Sequence, residues 1–482
     1  MSSVAHALIM TICNLMCTLW PAHAFSNGQM ASRSYRDAVH LLEIWLQSVV
    51  DFDRLPGLSL AVVHDQETVY AQGFGYLDTE RHIKTTPRTI YRLSSISKVF
   101  TSIAVMQLRD AGRLNLDDPV RKYLPWFVPE PQPSAMSSPT LLDLLRHSGG
   151  LPCEPDLTVW ENADLLYPSR EDLIRRVSCL KMSYPLNTTF NYSNLGYALL
   201  GEIVSVVSGL EYADYVQQKI LDPLALKSTT VNVPQMLLGS ELAVGYGRWP
   251  REGARTVITN RPSRAFTPAM GFSSTVEDMA EFAKWQFRVL AGRDTSILCP
   301  KTLAEIHTVH WQDAGWGLGF ATWQMNGKVF VGHQGGCPGY KSQIVLCPED
   351  KIAVVAMINA TDAPQFTLVF RTHEIMAPVL DRLSEEDVPV QEEWRKYAGY
   401  YTAEESWSEA EVLEWDGALA VLWLPIENPL GSLVKLRRTE GEIFRQVNSD
   451  GKLGKHYVFK ADSEGNIVGM KFNNNVIWKT AH

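Results

Sequence analysis

Ser95-Ile96-Ser97-Lys98 places a hydroxyl and an amine three residues apart, a spacing that puts both on one face of a helix. A lysine held neutral by burial can take a serine proton, whereas at its ordinary pKa of about 10.4 it stays charged at neutral pH. The positive end of a helix starting here favours an alkoxide and disfavours a protonated lysine. The pair therefore has the makings of an activated nucleophile. Spacing alone does not single it out, because Ser178-Cys179-Leu180-Lys181, Ser432-Leu433-Val434-Lys435 and Ser449-Asp450-Gly451-Lys452 share it.

Two further constellations follow in the chain. Tyr192-Ser193-Asn194 occurs once, ahead of an apolar helical run. A phenol near a lysine can shuttle a proton to a leaving group, and an asparagine amide can orient that lysine and bind a substrate carbonyl. On spacing alone the plainer reading is stronger: a tyrosine packing a loop and Asn194 capping a helix. His333-Gln334-Gly335-Gly336 follows the short apolar run 329–331 and precedes Pro338-Gly339. Glycines here let a substrate approach a strand edge and expose a backbone N–H, while His333 can polarise the tyrosine or bind a substrate carboxylate. His147-Ser148-Gly149 has the same H-x-G pattern but reads as a turn beside a helix end. No Cys or His spacing matches a zinc site and no HExxH occurs, so this set of residues implies neither metal nor cofactor.

The elements that must position these residues are legible as patterns. Residues 35–50 have helical apolar spacing, and 58–63 with 68–74 read as a β-hairpin. An apolar stripe at helical period runs over 96–111 and stops at Gly112, so two strands lead into a helix that begins just after Ser95. Helices are expected over 141–146, 196–207, 212–221 and 276–289, and strands over 319–323, 329–332, 342–347 and 352–358. The proline-rich 125–139 and the irregular 239–270 read as loops of the kind that line a site. After a helix ending near Leu383, the acidic stretch 384–391 reads as a linker. From Tyr397 onward eight short β runs separated by turns such as Asp416-Gly417 suggest a small up-and-down barrel.

The ordered trio, each member in its expected local structure, resembles the serine β-lactamase and penicillin-binding-protein superfamily. That superfamily includes class C β-lactamases, D-Ala-D-Ala carboxypeptidases, D-aminopeptidases and family VIII carboxylesterases, whose motifs are S-x-x-K, Y-x-N and K/H/W-x-G. Tyr91-Arg92-Leu93-Ser94, the run from Leu144 to Pro152 and Gly271-Phe272-Ser273-Ser274-Thr275 extend the likeness over residues 35–383. The resemblance implies an α+β fold: an antiparallel sheet flanked by helices, with an all-helical region, followed over 392–482 by a lipocalin-like β-barrel. It implies Ser95 as nucleophile, Lys98 and Tyr192 as the acid/base pair, and Asn194, His333 and Gly335 as orienting or substrate-binding residues. It implies the N–H groups of Ser95 and Gly336 as the oxyanion hole. His333-Gln334 stands where the β-lactamases have a lysine and a hydroxyl residue, which moves the expected activity from β-lactams towards peptides or esters.

The leading expectation is thus a serine hydrolase forming an acyl-enzyme on Ser95 from an amide or peptide substrate. A carboxylesterase or acyl transferase of the same fold is the nearest alternative, and a non-catalytic binding or scaffold protein a third. A net charge of −9 gives no electrostatic reason to expect a nucleic-acid partner. The apolar stretch 7–20 is short for a bilayer span. With Ala22-His23-Ala24 behind it, it reads as a signal segment over 1–24, hence a secreted or periplasmic protein with no stable membrane span after cleavage. Cys13 and Cys17 would leave with that segment. Of the remaining five cysteines, Cys153 and Cys179 are a candidate disulfide, with unpaired buried thiols as the even alternative.

Overall fold

The computed structural model describes residues 32–129, 138–154, 166–381, 392–403 and 409–480. The expected signal segment 1–24, with Cys13 and Cys17, and the expected linker 384–391 lie outside the described residues, as does 130–137 of the proline-rich loop.

Helix α1 (Arg33–Phe52) starts where Ser32 accepts the Tyr35 N–H, and it buries Ala38, Leu41, Leu42, Trp45 and Leu46 along one stripe. It leads into β1 (Gly57–His64), β2 (Glu67–Asp78) and β3 (Ile83–Lys84). Four more strands come from the far end of the domain: β4 (Ala321–Met325), β5 (Lys328–Cys337), β6 (Tyr340–Cys347) and β7 (Ile352–Ile358). They complete one antiparallel sheet in the order β3-β2-β1-β7-β6-β5-β4, with β1 joined to β7 by pairs such as Leu58 with Ile358. Strand β1 is buried on both faces, which explains its nearly unbroken apolar sequence.

Alternation along β1 divides the core in two. Leu58, Leu60 and Val62 face α1 and α5 (Gln365–Leu380). Ala61 and Val63 face a larger cluster built on α2 (Ser97–Asp110), α3 (Asn194–Ser208) and α4 (Val276–Leu290). The Ser95, Tyr192 and His333 motifs lie on this second side.

The C-terminal strands β8 (Gly399–Thr402), β9 (Glu409–Trp415), β10 (Ala418–Leu424), β11 (Val434–Glu440), β12 (Ile443–Val447), β13 (Leu453–Ala461), β14 (Ile467–Phe472) and β15 (Asn475–Lys479) close into a barrel. Closure is made by β8 on β15, with Tyr401 opposite Lys479. Its own core includes Tyr397, Tyr401, Phe444 and Phe459. Leu413, Ala420, Leu422 and Ile426 instead join the α1 and α5 core, and Glu414 pairs with Arg33 at 2.8 Å. The barrel is therefore fixed to the helices behind the sheet.

The helix expected to begin just after Ser95 starts at Ser97, and Ser95 itself sits on the 3₁₀ turn (Ser94–Ile96) that leads into it. Several other local expectations are revised. The strand expected to stop at residue 332 continues to Cys337, because 333–337 pairs with 340–344 despite its glycines. The helix expected over 212–221 is α-helical only over Tyr212–Val216 and widens to a π turn over Gln217–Leu221. The irregular 239–270 contains a two-residue ladder, Gly245–Tyr246 with Val257–Ile258, and a helical turn, Thr267–Met270. Cys153 and Cys179 are both free thiols, so the candidate disulfide is not formed. Among the described residues, no single helix is long and apolar enough to cross a membrane.

Candidate active site

The turn that presents Ser95 is held from several directions. Ser94 adopts φ +50°, a left-handed conformation that non-glycine residues rarely take, and it is fully enclosed. Ser97 braces the turn, its hydroxyl donating to Ser94 O at 2.6 Å and accepting the Phe272 N–H at 3.0 Å. Ile96 is buried in the helical core. The two residues between serine and lysine are thus structural, and Ser95 is left partly open to the cleft.

Lys98 is wholly buried. Its Nζ lies 3.3 Å from Ser95 Oγ, 2.6 Å from Asn194 Oδ1 and 2.9 Å from Ala269 O. Burial pulls its pKa down from the ordinary lysine value to about 7, against the opposing pull of Cys153 and Glu154. A neutral amine has two N–H bonds and one lone pair. With the two carbonyl oxygens taking the N–H bonds, the lone pair is left for Ser95 Oγ.

The Tyr-Ser-Asn motif is placed by a helix cap. Ser193 is the N-cap of α3: its Oγ accepts the Gly196 N–H at 3.0 Å and donates to Pro152 O at 2.7 Å. Tyr192 therefore precedes the helix and Asn194 is its first residue, side by side over Lys98. The Lys98 ammonium position is 4.7 Å from the Tyr192 ring centre. The Tyr192 phenol is raised above its usual pKa by burial, partly opposed by a hydrogen bond with Ser95, so it holds its proton at neutral pH. The Asn194 amide nitrogen donates to Glu154 Oε1 at 2.6 Å, which orients its oxygen towards Lys98.

Helix α3 can approach closely enough to do this because Gly201 has no side chain. A Cβ there would stand 2.1 Å from Pro268 Cγ, in the turn that supplies the Ala269 carbonyl.

The third motif lies on the edge of the sheet. β4 pairs with β5 only as far as Ala321 with Gly332, which leaves 333–337 open on that side. Gly335 presses against the nucleophile turn: a Cβ there would be 2.1 Å from Leu93 O and 2.2 Å from Ser342 Oγ. His333 is buried, and burial with the nearby Lys98 lowers its pKa to about 3. It is neutral at neutral pH, its Nδ1 towards the Gln334 carbonyl.

Ser95, Tyr192, His333, Gly335 and Gly336 line one cavity of about 440 Å³, with Phe190, Trp316, Trp323 and Lys341 on its walls. Lys98 and Asn194 lie directly behind Ser95. The other S-x-x-K pairs are elsewhere: Ser178 and Lys181 are exposed, as are Ser449 and Lys452, and Ser432 and Lys435 belong to the barrel end of the chain. None of the described barrel residues lines the cavity.

Sequence reasoning missed several participants. Ala269 acts through its backbone, which leaves no signal in side-chain type. Glu154 and Trp316 are apparent only from contacts across the fold. His147, read as a turn residue, does sit in a turn with φ +60°, yet its ring is buried 4.4 Å from that of Tyr192 and 4.9 Å from that of Trp316. Its Nδ1 accepts the Ser193 N–H at 3.0 Å, so the neutral ring carries its proton on Nε2.

Among the described residues, one group could hold a metal ion by ligand type. Cys347, Asp350 and His373 bring ligand atoms within 4.8 Å of one another. The Lys328 ammonium, 2.5 Å from Asp350, already supplies the positive charge there.

Comparison with known proteins places this geometry. The family profile described as Beta-lactamase matches residues 45–372. "Protein flp" of Staphylococcus aureus (strain MW2) is 26% identical over 325 residues, 65% of this chain and 62% of its own length, so the chain spans less than two thirds of that relative. The "Putative D-alanyl-D-alanine carboxypeptidase" of Escherichia coli (strain K12) is 26% identical over 351 residues, 67% of this chain and 80% of that protein. Among solved structures, the octameric penicillin-binding protein homologue from Pyrococcus abyssi superimposes with a TM-score of 0.61 at 27% identity, covering 92% of this chain and 100% of that one.

Proposed function

The chain belongs to the Beta-lactamase family, within the serine β-lactamase and penicillin-binding-protein superfamily, and from that premise we propose a serine hydrolase that forms an acyl-enzyme on Ser95 from an amide or peptide substrate. One observation carries this reading: a fully buried Lys98 whose Nζ lies within hydrogen-bond reach of two carbonyl oxygens and of Ser95 Oγ, with a pKa near neutrality.

Lys98 takes the Ser95 proton as Oγ attacks the substrate carbonyl carbon. Tyr192, which keeps its proton, is the better donor to the leaving nitrogen, and Lys98 can replace that proton. The Ser95 and Gly336 N–H groups hold the oxyanion, and Asn194 keeps the lysine aligned. Water then attacks the ester carbonyl, Ser95 leaves with a proton, and the acid is released. His333-Gln334 at the third motif, together with the likeness to a D-alanyl-D-alanine carboxypeptidase name, supports peptides over β-lactams. The proton on the leaving group distinguishes amide from ester substrates, because an amine leaves poorly without one.

The test is covalent capture. A fluorophosphonate or labelled penicillin should mark the protein at Ser95 and leave Ser95→Ala unmarked; an adduct elsewhere, or none, overturns the reading. A panel of p-nitrophenyl esters, small peptides and D-amino acid amides then fixes the bond. Turnover of esters with none of amides replaces the peptide reading with an esterase.

A further inference from the structure

His147 accepts two hydrogen bonds, and their donors are the residues on either side of Tyr192. Its carbonyl takes the Asn191 N–H at 2.9 Å, and its Nδ1 takes the Ser193 N–H at 3.0 Å. The imidazole also packs on the phenol ring between them, 4.4 Å from centre to centre with 35° between the planes. One residue thus holds Tyr192 at three points, two on the flanking backbone and one on the ring.

The local fold carries a cost to achieve this. The short helix Leu141–Leu145 ends just ahead of His147, which turns the chain at φ +60°, a conformation that costs a non-glycine residue free energy and persists only where its surroundings enforce it. A residue serving only the turn could keep its side chain in solvent, whereas the His147 ring is buried. Its neighbours extend the grip along the chain: the Asn191 amide donates to Leu151 O at 2.6 Å, and the Leu195 N–H to Cys153 O at 3.0 Å.

Tyr192 needs such a holder more than Lys98 does. The amine is fixed by two carbonyl oxygens that stay in place during the reaction. The phenol hydroxyl meets Ser95, whose oxygen moves towards the substrate on attack. The aim of the phenol must then come from its ring and backbone. Proton transfer is sensitive to that aim, because a misplacement of about 1 Å costs about a hundredfold in rate.

We infer that His147 is the positioning residue of Tyr192: it aims the phenol that protonates the leaving group, and its loss falls on substrates whose leaving atom needs that proton. The assignment rests on the acyl-enzyme reading of Ser95. In the step concerned, the proton passes from the Tyr192 hydroxyl to the leaving nitrogen or oxygen as its bond to the acyl carbon breaks, and Lys98 returns a proton to the phenol.

The test compares kcat/KM of the unaltered protein, H147N and H147Q on two groups of substrates. Amides and alkyl esters have leaving groups that need a proton; p-nitrophenyl esters release a phenolate that does not. Asparagine puts its carbonyl oxygen where Nδ1 stands and tolerates the left-handed backbone, while glutamine carries its oxygen one bond further. H147Q should lose about a hundredfold on amides and alkyl esters, and keep p-nitrophenyl ester turnover and fluorophosphonate labelling of Ser95 close to those of the unaltered protein. H147N should recover most of that loss. Thermal melts accompany each variant; if H147Q does not fold, H147F, which keeps a ring and loses the acceptor, takes its place. An equal fall on all substrates in both variants marks a packing role and overturns the assignment, as does unchanged turnover of amides and alkyl esters in H147Q. Normal labelling without dependence on the leaving group defeats this assignment alone, and no labelling of the unaltered protein defeats the acyl-enzyme reading beneath it.

Discussion

Asn194 Oδ1 lies 2.6 Å from Lys98 Nζ, closer than Ser95 Oγ at 3.3 Å. The amide of α3, more than the nucleophile itself, sets where the amine points. Glu154 holds that amide from behind, so a chain of contacts through Asn194 and Lys98 runs from a buried carboxylate to the Ser95 hydroxyl.

Lys98 can accept a proton only when neutral. Its pKa of about 7 means that activity should rise with pH through an ascending limb near neutrality and level off above it. Measuring kcat/KM between pH 5 and 9 checks this. A limb in the carboxylate range would assign the base elsewhere.

Lys98→Ala should reduce the acylation rate by about 10²–10⁴-fold, the usual contribution of a general base. Tyr192→Phe keeps the ring packing against His147 and Trp316 and removes only the hydroxyl, so the variant should fold normally and lose turnover. Stopped-flow labelling of Ser95 with thermal melts of each variant separates chemistry from folding. Full activity in both variants would remove these residues from the mechanism.

Gly335→Ala would force a methyl group into the Leu93 carbonyl and the Ser342 hydroxyl that bonds it. Overpacking of this kind costs about 1–3 kcal/mol, and here it also pushes the strand edge away from the nucleophile turn. Denaturant melts should show the destabilisation and Ser95 labelling should slow. Unchanged labelling would mean that the edge does not need this contact.

His333 and His147 are both held neutral, with pKa values depressed by burial and by Lys98. In the unfolded chain each titrates at about 6.5. Below that value the unfolded state binds more protons than the folded one, so their contribution to stability is intact above about 6.5 and is lost as the pH falls towards 3. Urea midpoints measured from pH 7.5 down to 5 should fall. The slope should be shallower in His333→Gln, and an identical slope would assign the loss to other groups.

Arg33 is almost wholly buried between α1 and the barrel, where it meets Glu414. Arg33→Met should destabilise the protein, by at most the about 3–5 kcal/mol of a fully buried pair because Glu414 keeps some exposure, and Arg33→Met with Glu414→Leu should recover part of that loss. A double-mutant cycle by chemical denaturation measures the coupling. Additive effects would show that the pair does not hold barrel and helix together.

How far the sequence could be read depends on the range of each interaction. Ser95 with Lys98 and Tyr192 with Asn194 are local pairs, so spacing nominated them, and their order along the chain with His333 to Gly336 singled them out. The barrel was visible because each hairpin carries its own turn residues. Ala269, Glu154 and Lys341 reach the site only through tertiary placement. Lys341 in particular owes its position to one step of strand register opposite Gly336, which no residue type announces. The continuation of β5 through Gly335 and Gly336 was hidden because these residues have weak β propensity and become extended through pairing with β6. His147 was read as a turn because its backbone is one; its ring does something else.

The order in which the sheet is assembled has a consequence in time. The turn bearing Ser95 is made early, but the strand edge at Gly336 and the partner of β1, strand β7, follow it by roughly 240 residues or more. A ribosome adding about 5–20 residues per second needs about 12–50 s to cover that distance. Throughout that interval Ser95 lacks the edge with the Gly336 N–H, and for most of it also lacks the Ala269 carbonyl that holds its lysine. A nascent chain therefore carries Ser95 without these neighbours, and the proposed nucleophile meets its full surroundings only when synthesis has passed the last strand of its own sheet.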